Sequence, residues 1–410
     1  MKLTSAEASA VARVEDGSIT TPAGFRAGAV YAGIKTAGEG KLDVALLAAD
    51  RPCAVAAIFT RSTVCGAPVE VSKEHARGGR AQALVVNAGI SNVGMGAQGL
   101  RDAREMCDLA ARKLGIDGAD VLVGSTGVIG RPLPMDKIRD GIARIDLRAD
   151  GGHDFARAIM TTDTHPKTLA VRFRAGGADC ALAAAAKGSG MIHPDMATMF
   201  CFLTTDAAVE RAYLRAALVR AADVSLNMVS VDGDTSTSDT TAVFASGAAG
   251  GETLHESHAD APAFEQALRI VTTEIARMLA RDGEGAEKLI EARVEGAATP
   301  GEARAAARTI TVSPLVKTAV HGNDPNWGRI LMAVGRSGAR IDLDRARVWL
   351  GEVAVYDRQA LPFDERAASD ALRGEEVRLR IDLGCGDASA TAWGCDMTPE
   401  YVHINSDYTT

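Results

Sequence analysis

The stretch Lys187–Asp206, KGSGMIHPDMATMFCFLTTD, decides how the rest of the chain is read. Gly and other small residues run from Lys187 towards the Ala197–Thr198 bond. The apolar run Met199–Thr205 follows as a strand, and Asp206 stands where it can cap a helix with an apolar face at Val209, Leu214, Ala217, Leu218 and Ala221. Upstream, residues 168–174 and 179–186 read as two strands, the second leading straight into Lys187. By spacing alone this is a small-residue loop entering a strand, and Thr198 is a β-former at its start.

Working outward, KLDVALLAA and CAVAAIFT are apolar runs separated by Asp50-Arg51-Pro52, which reads as a hairpin. QALVVNAG (82–89) is a short buried strand that enters a Gly-rich loop. A helix follows from near Leu100, with Met106, Leu109, Ala110 and Leu114 on one face. DVLVGSTGVIG (120–130) is a strand ending in Ser125-Thr126-Gly127. FARAIMTTDTHP (155–166) ends a helix in a hydroxyl cluster, and VDGDTSTSDT (231–240) is the densest Asp/Ser/Thr loop of the chain. A long helix begins near Asp260, tolerates Pro262 in its first turn, and stops at Asp282-Gly283, which leaves Glu284 just beyond its C-terminus. Residues 291–410 form a smaller α+β unit with strands at 347–356, 376–384 and 388–394 and a last strand at 401–405.

At 410 residues the chain suffices for two or three domains or one large layered body. Acidic residues outnumber basic ones, 53 to 45, and no basic stripe is present, so nucleic acid is not an expected partner. The N-terminal stretch MKLTSAEASAVARVEDGS holds no apolar core of signal-peptide length, and no run is long enough to span a bilayer. The seven Cys form no CxxC pair, which points to reduced thiols in a cytoplasmic protein. VDGDTSTSDT lacks the Gly and Glu positions of a calcium loop; its side chains are expected to bond backbone near Thr198, and no metal is expected.

Taken together, ITTPAGFRAGAVYAGIK, STG at 125–127, AIMTTDT at 158–164, KGSGMIHPDMATM at 187–199, VDGDTSTSDT, RDGEGAEKLIE at 281–291, SPLVKTAVHGNDPNWGRI at 313–330 and the terminal WGCDMTPEYVHINSDYTT carry a resemblance. In that order and over the whole chain they resemble the ornithine acetyltransferase / glutamate N-acetyltransferase family of arginine biosynthesis (ArgJ). The resemblance implies an α/β (α+β) fold: a layered body like that of self-cleaving, DmpA-like aminopeptidases, with a smaller C-terminal α+β subdomain. Residues 1–197 would be the α chain after self-cleavage, 198–290 would begin the β chain and complete the catalytic body, and 291–410 would be the subdomain whose tail returns to the active site.

The resemblance makes Ala197–Thr198 the cleavage site and Thr198 the nucleophile. Once freed, the Thr198 α-amine, with an ordinary pKa near ~7.7–8.0, can serve as its own base. The oxyanion donors carried over are the Thr126 hydroxyl and the Gly127 N–H. The substrate-binding residues are Thr161, Lys187, Thr198, Glu284, Asn405 and Thr410, with Thr161 taken over the adjacent Thr162 from family spacing. Lys187 would meet a carboxylate and Glu284 an amine. His193 is read as a loop residue, because an N-terminal Thr needs no His base. No resident cofactor is implied; the resemblance leaves open whether acetyl-CoA serves as a second acetyl donor, and the two fragments would assemble as an α2β2 heterotetramer.

The loop NAGISNVGMG (87–96) departs from the family pattern, with Ile90 and Met95 where polar residues are usual; Asp195 and Ser238 depart less. The alternatives these departures leave open are an acyltransferase with a changed substrate, a self-cleaving amidohydrolase using water as acceptor, and a non-catalytic metabolite-binding protein.

Overall fold

The computed structural model describes residues 11–35, 40–193 and 199–407. Ala197, Thr198 and Thr410 lie outside the described residues.

Among the described residues, nine strands make the first sheet. Its centre places Ala178–Lys187, Phe200–Thr205, Thr240–Ala245 and Val44–Phe59 side by side, with Arg80–Ile90 and Val121–Val128 beyond. The chain on the two sides of the Ala197–Thr198 bond belongs to neighbouring antiparallel strands, with Lys187 opposite Phe200 and Leu182 opposite Thr205. Side chains alternate between faces, as the two-residue period of a strand requires. Leu182, Ala184, Cys201, Leu203 and Val243 pack on Phe264, Leu268, Val271, Ile275 and Leu279 of the helix Ala261–Arg281. Phe200, Phe202, Ala242 and Phe244 turn the other way, onto Phe155 and Ile159. Both faces being buried, the strands spell near-continuous apolar runs. A third cluster joins Val44, Leu46, Val85 and Val123 to the helices Gly96–Leu114 and Met135–Arg144.

A second sheet orders Gln359–Ala360, Val353–Asp357, Arg347–Leu350, Glu376–Asp382, Leu289–Ala297, Ala388–Cys395 and Val229–Ser230. Residue 291 falls inside its strand Leu289–Ala297, and Val229–Ser230 joins it from earlier in the chain. The helix Ala261–Arg281 packs against strands of both sheets, so one apolar core runs through them. No helix among the described residues is long and apolar enough to cross a membrane.

Three element expectations are corrected. Val44–Phe59 is one sixteen-residue strand and not a hairpin. Its first half pairs with Phe25–Val30 and its second with Thr240–Ala245, and a register shift between Ala48 and Cys53 takes up Asp50-Arg51-Pro52. A proline is tolerated at such an irregularity because no ladder hydrogen bond is asked of it. The run at 347–356 is two strands, folded back at Gly351 with φ +57. The last strand is instead the helix Pro399–Asp407. Pro399 suits a first helical turn, and the Asn405 Nδ2 donates to the Tyr401 carbonyl one turn back, at 3.0 Å.

Candidate active site

The strand Val121–Val128 lies parallel to Arg80–Ile90, with Thr126 opposite Ala88 and Gly127 opposite Gly89. Gly127 has φ +122, and a Cβ there would sit 2.3 Å from the Gly89 carbonyl carbon. Only glycine permits this approach and this backbone conformation. Thr126 is buried, and its Oγ1 accepts from Lys187 Nζ at 3.0 Å. An ammonium has only donors, so this bond leaves the Thr126 hydroxyl proton free to be offered elsewhere. That is what an oxyanion donor requires.

Lys187 closes its strand opposite Phe200. Burial pushes its ammonium below the ordinary lysine range, against the pull of Asp163, Asp239 and Glu284. The small residues after it have tasks. Gly188 has φ +147, and its N–H donates to Asp163 Oδ1 at 2.6 Å. Gly190 backs directly onto Glu284, where a Cβ would lie 2.4 Å from the carboxylate carbon.

Glu284 is fixed from three sides. Its N–H donates to the Ser189 carbonyl at 2.8 Å. Thr162 Oγ1 donates to Oε1 at 2.7 Å, and Asn405 Nδ2 to Oε2 at 2.9 Å. Thr162 Oγ1 also lies 2.6 Å from Ser189 Oγ. The hydroxyl that meets Glu284 is thus that of Thr162, while Thr161 gives its backbone N–H to Asp163 Oδ2 at 2.9 Å. Tail and loop are joined again where Thr398 Oγ1 donates to the Gly285 carbonyl at 2.7 Å.

Beneath these groups lies a buried ion network that the sequence did not announce. Lys167 Nζ, with no exposed side-chain surface, donates to Asp163 Oδ1 and Asp282 Oδ2, both at 2.6 Å. Asp282 also accepts from the Thr164 N–H at 3.1 Å and from the Thr164 hydroxyl. Burial opposes ionisation of Asp163, but Lys167, Lys187 and the Gly188 N–H outweigh it and hold its carboxyl at about 2. Asp163 lies one residue from Thr162 and Asp282 two from Glu284, so the network ties the supports of Gly188, Thr162 and Glu284 together. An Asp–Lys pair four residues apart reads in sequence as a solvated pair, and Asp282 is remote along the chain; nothing in the pattern marks them as partners.

Thr126, Lys187, Met199, Ser236, Ser238 and Asp239 share a cavity of about 20 Å³, room for roughly one water molecule. Asp239 is 3% exposed, and its Oδ2 has no hydrogen-bond partner among the described residues. Burial pushes its carboxyl well above the usual range. Lys35 also comes close: burial lowers its ammonium to about 8, its backbone packs on Gly89, and its Nζ donates to the Leu42 carbonyl at 2.9 Å. A larger groove of about 600 Å³, at Pro52–Ala54, Arg80 and Glu210–Ala212, shares no residue with this cluster.

The loop 231–240 bonds backbone on the approach to residue 194. Asp232 accepts from the N–H groups of Met191 and Ile192, and Thr235 Oγ1 donates to the His193 carbonyl at 2.9 Å. His193 Nδ1 lies 3.3 Å from Ser230 Oγ. Ile90 packs against the third apolar cluster and Met95 precedes the helix Gly96–Leu114; neither lines the small cavity. Elsewhere Glu287, His321 and Asp396 come together as groups of metal-ligating type, but Asp396 Oδ1 is taken by the N–H groups of Glu287 and Lys288.

A family model described as the ArgJ family matches residues 26–410. The arginine biosynthesis bifunctional protein ArgJ of Dehalococcoides mccartyi is 51% identical, over 96% of this chain and 98% of its own length. A chain of the crystal structure of that protein from Bacillus halodurans is 40% identical with a TM-score of 0.49, covering 51% of this chain and 98% of that one. A chain of the ornithine acetyltransferase complexed with ornithine from Mycobacterium tuberculosis is 35% identical with a TM-score of 0.42, covering 46% of this chain and 100% of that one.

Proposed function

This chain belongs to the ArgJ family, and we propose that it is a self-cleaving acetyltransferase of arginine biosynthesis that moves acetyl from N2-acetyl-L-ornithine to L-glutamate. The observation that carries this reading is the Lys187–Thr126 contact beside Met199, the residue that follows Thr198. It puts a hydroxyl with a free proton, backed by Gly127, next to Met199, which leads into the strand Phe200–Thr205. Glu284, steadied by Thr162 and Asn405, supplies a carboxylate for a substrate ammonium.

In the precursor, the Thr198 hydroxyl oxygen bonds to the Ala197 carbonyl carbon, the C–N bond breaks, and the departing nitrogen takes the hydroxyl proton. Water then hydrolyses the ester, which restores the hydroxyl and leaves a carboxylate on Ala197. In the mature enzyme the α-amine accepts the hydroxyl proton as oxygen attacks the acetyl carbonyl, and passes it to the departing ornithine nitrogen. The glutamate amine then takes the acetyl group from the Thr198 ester. Thr126 and Gly127 stabilise the oxyanion of each tetrahedral intermediate, where loss of one donor costs on the order of 3 kcal/mol. Both fragments contribute strands to one sheet, so they stay associated after the cut; pairing of two such units as α2β2, and a cytoplasmic location, belong to the same proposal.

Incubation with N-acetylornithine alone is expected to add one acetyl mass to the fragment beginning at Thr198, and glutamate should remove it. Loss of the acetyl group to water at the same rate without glutamate would favour an amidohydrolase instead. Glutamate acetylation from acetyl-CoA, with no acetylornithine present, measures the second activity. Asn405→Ala removes one charge-assisted hydrogen bond from Glu284 and is expected to raise the KM for N-acetylornithine about 10-fold with little change in kcat. Steady-state kinetics with an unchanged KM would remove the tail from the binding site.

A further inference from the structure

Two carboxylates converge on one ring nitrogen beside the second sheet. His321 Nδ1 lies 3.1 Å from Asp396 Oδ2 and 3.8 Å from Glu287 Oε2, and the three groups bring one such atom each within 4.8 Å of the others. A ring nitrogen carries at most one proton, so it satisfies one of these anions and not both. The neighbouring ammonium does not close the gap. Lys288 Nζ spends its three donors on the Val320 carbonyl at 2.8 Å, the His321 carbonyl at 3.2 Å and Asn323 Oδ1 at 2.7 Å.

The three residues come from separate segments. Asp396 follows the strand Ala388–Cys395, and its side chain has no exposed surface. Its Oδ1 accepts from the N–H groups of Glu287 and Lys288, both at 2.9 Å, which leaves Oδ2 for His321. A metal-binding carboxylate is held in this way, by hydrogen bonds to the oxygen that does not face the ion. His321 ends the helix Pro314–His321. Glu287 stands three residues beyond Glu284 with a side chain 66% exposed, so it can close on an ion by rotation alone. Four-coordinate zinc, with bonds of about 2.0–2.2 Å, sets neighbouring ligand atoms roughly 3.4 Å apart. The two separations at His321 Nδ1 straddle that value.

We propose that Glu287, His321 and Asp396 form a three-ligand site for a divalent transition-metal ion of the zinc class, with water in the fourth position. One imidazole and two carboxylates suit such an ion, whereas calcium would ask for about six to eight oxygens. The ion takes the place of the proton on Nδ1, which leaves to solvent, and the imidazole keeps its other proton on Nε2. It braces the loop that carries Glu284 against the root of the tail, where Thr398 already donates to the Gly285 carbonyl. The site uses none of the groups assigned to acetyl transfer and does not depend on self-cleavage.

The test is a Co2+ titration of the chelator-treated full-length protein, read by the visible absorption that Co2+ gains on entering a four-coordinate site, followed by displacement with Zn2+. The wild type is expected to take up one ion per chain. Glu287→Gln and His321→Gln should each weaken uptake by at least about 100-fold, the upper end of what loss of a supporting partner costs. Zn2+ should likewise raise the thermal midpoint of the wild type and of neither variant, because it binds the folded site. No uptake by the wild type, uptake that either folded variant leaves undiminished, or displacement of Co2+ by excess Mg2+ or Ca2+ would overturn the proposal. If His321→Gln fails to fold, Glu287→Gln, a change on an exposed side chain, decides alone.

Discussion

Thr198→Ala is expected to remain a single chain of 42.6 kDa and to lose acetyl transfer by at least about 10⁴-fold. The side chain is asked to act twice, as the attacking oxygen in its own release and as the acyl carrier in every later turnover. Losing it removes the covalent route outright, leaving only binding and the oxyanion donors. Thermal stability should change little, because the sheet on both sides of the bond forms without the cut: Lys187 pairs with Phe200, and Phe200–Thr205 pairs with Thr240–Ala245. Mass spectrometry and steady-state assay of the variant check both halves. A cleaved Thr198→Ala protein would show that another residue is the nucleophile.

Lys167→Met is expected to cost about 3–5 kcal/mol of stability, the usual range for breaking a buried ion pair and leaving its partners uncompensated. Asp163 and Asp282 would keep their burial and lose their shared cation. The effect should reach the site, because Asp163 holds the Gly188 N–H and Asp282 ends the helix before Glu284. Acid unfolding provides a signature of the same network. The Asp163 carboxyl is held at about 2, below its ordinary 3.8. Its folded pKa is therefore depressed, so its contribution, about 2 kcal/mol, is fully present above about pH 4. That contribution disappears as pH falls towards 2. Denaturant titrations across this window should show the loss in the wild type and a flatter dependence in Lys167→Met. Equal acid sensitivity in the two proteins would detach Asp163 from Lys167.

How much of this was legible in the sequence differs by element. The strands around Lys187 and the helix Ala261–Arg281 were readable because burial on both faces or on one stripe leaves an apolar pattern. Val44–Phe59 was not, since Asp50-Arg51-Pro52 carries a strong turn signal and the register shift that absorbs it is a property of three neighbouring strands. The tail Tyr401–Asn405 has strand-like residues but forms a helix held to Gly285 and Glu284. Of the residues that the family resemblance implied, Lys187 meets Thr126 beside Gly127, and Asn405 meets Glu284. The resemblance took Thr161 as the substrate ligand; that the hydroxyl at Glu284 is the one on Thr162 depends on how the loop leaves the helix Gly152–Ala158, which sequence alone does not give. Asp163, Lys167, Asp282 and Asp239 were invisible: each is an ordinary polar residue until folding removes its water.

The most direct test of self-cleavage is the intact mass of the purified wild-type protein under denaturing conditions. Two fragments meeting at Ala197/Thr198 are expected, co-purifying in native buffer. One active species of 42.6 kDa would contradict the N-terminal threonine mechanism.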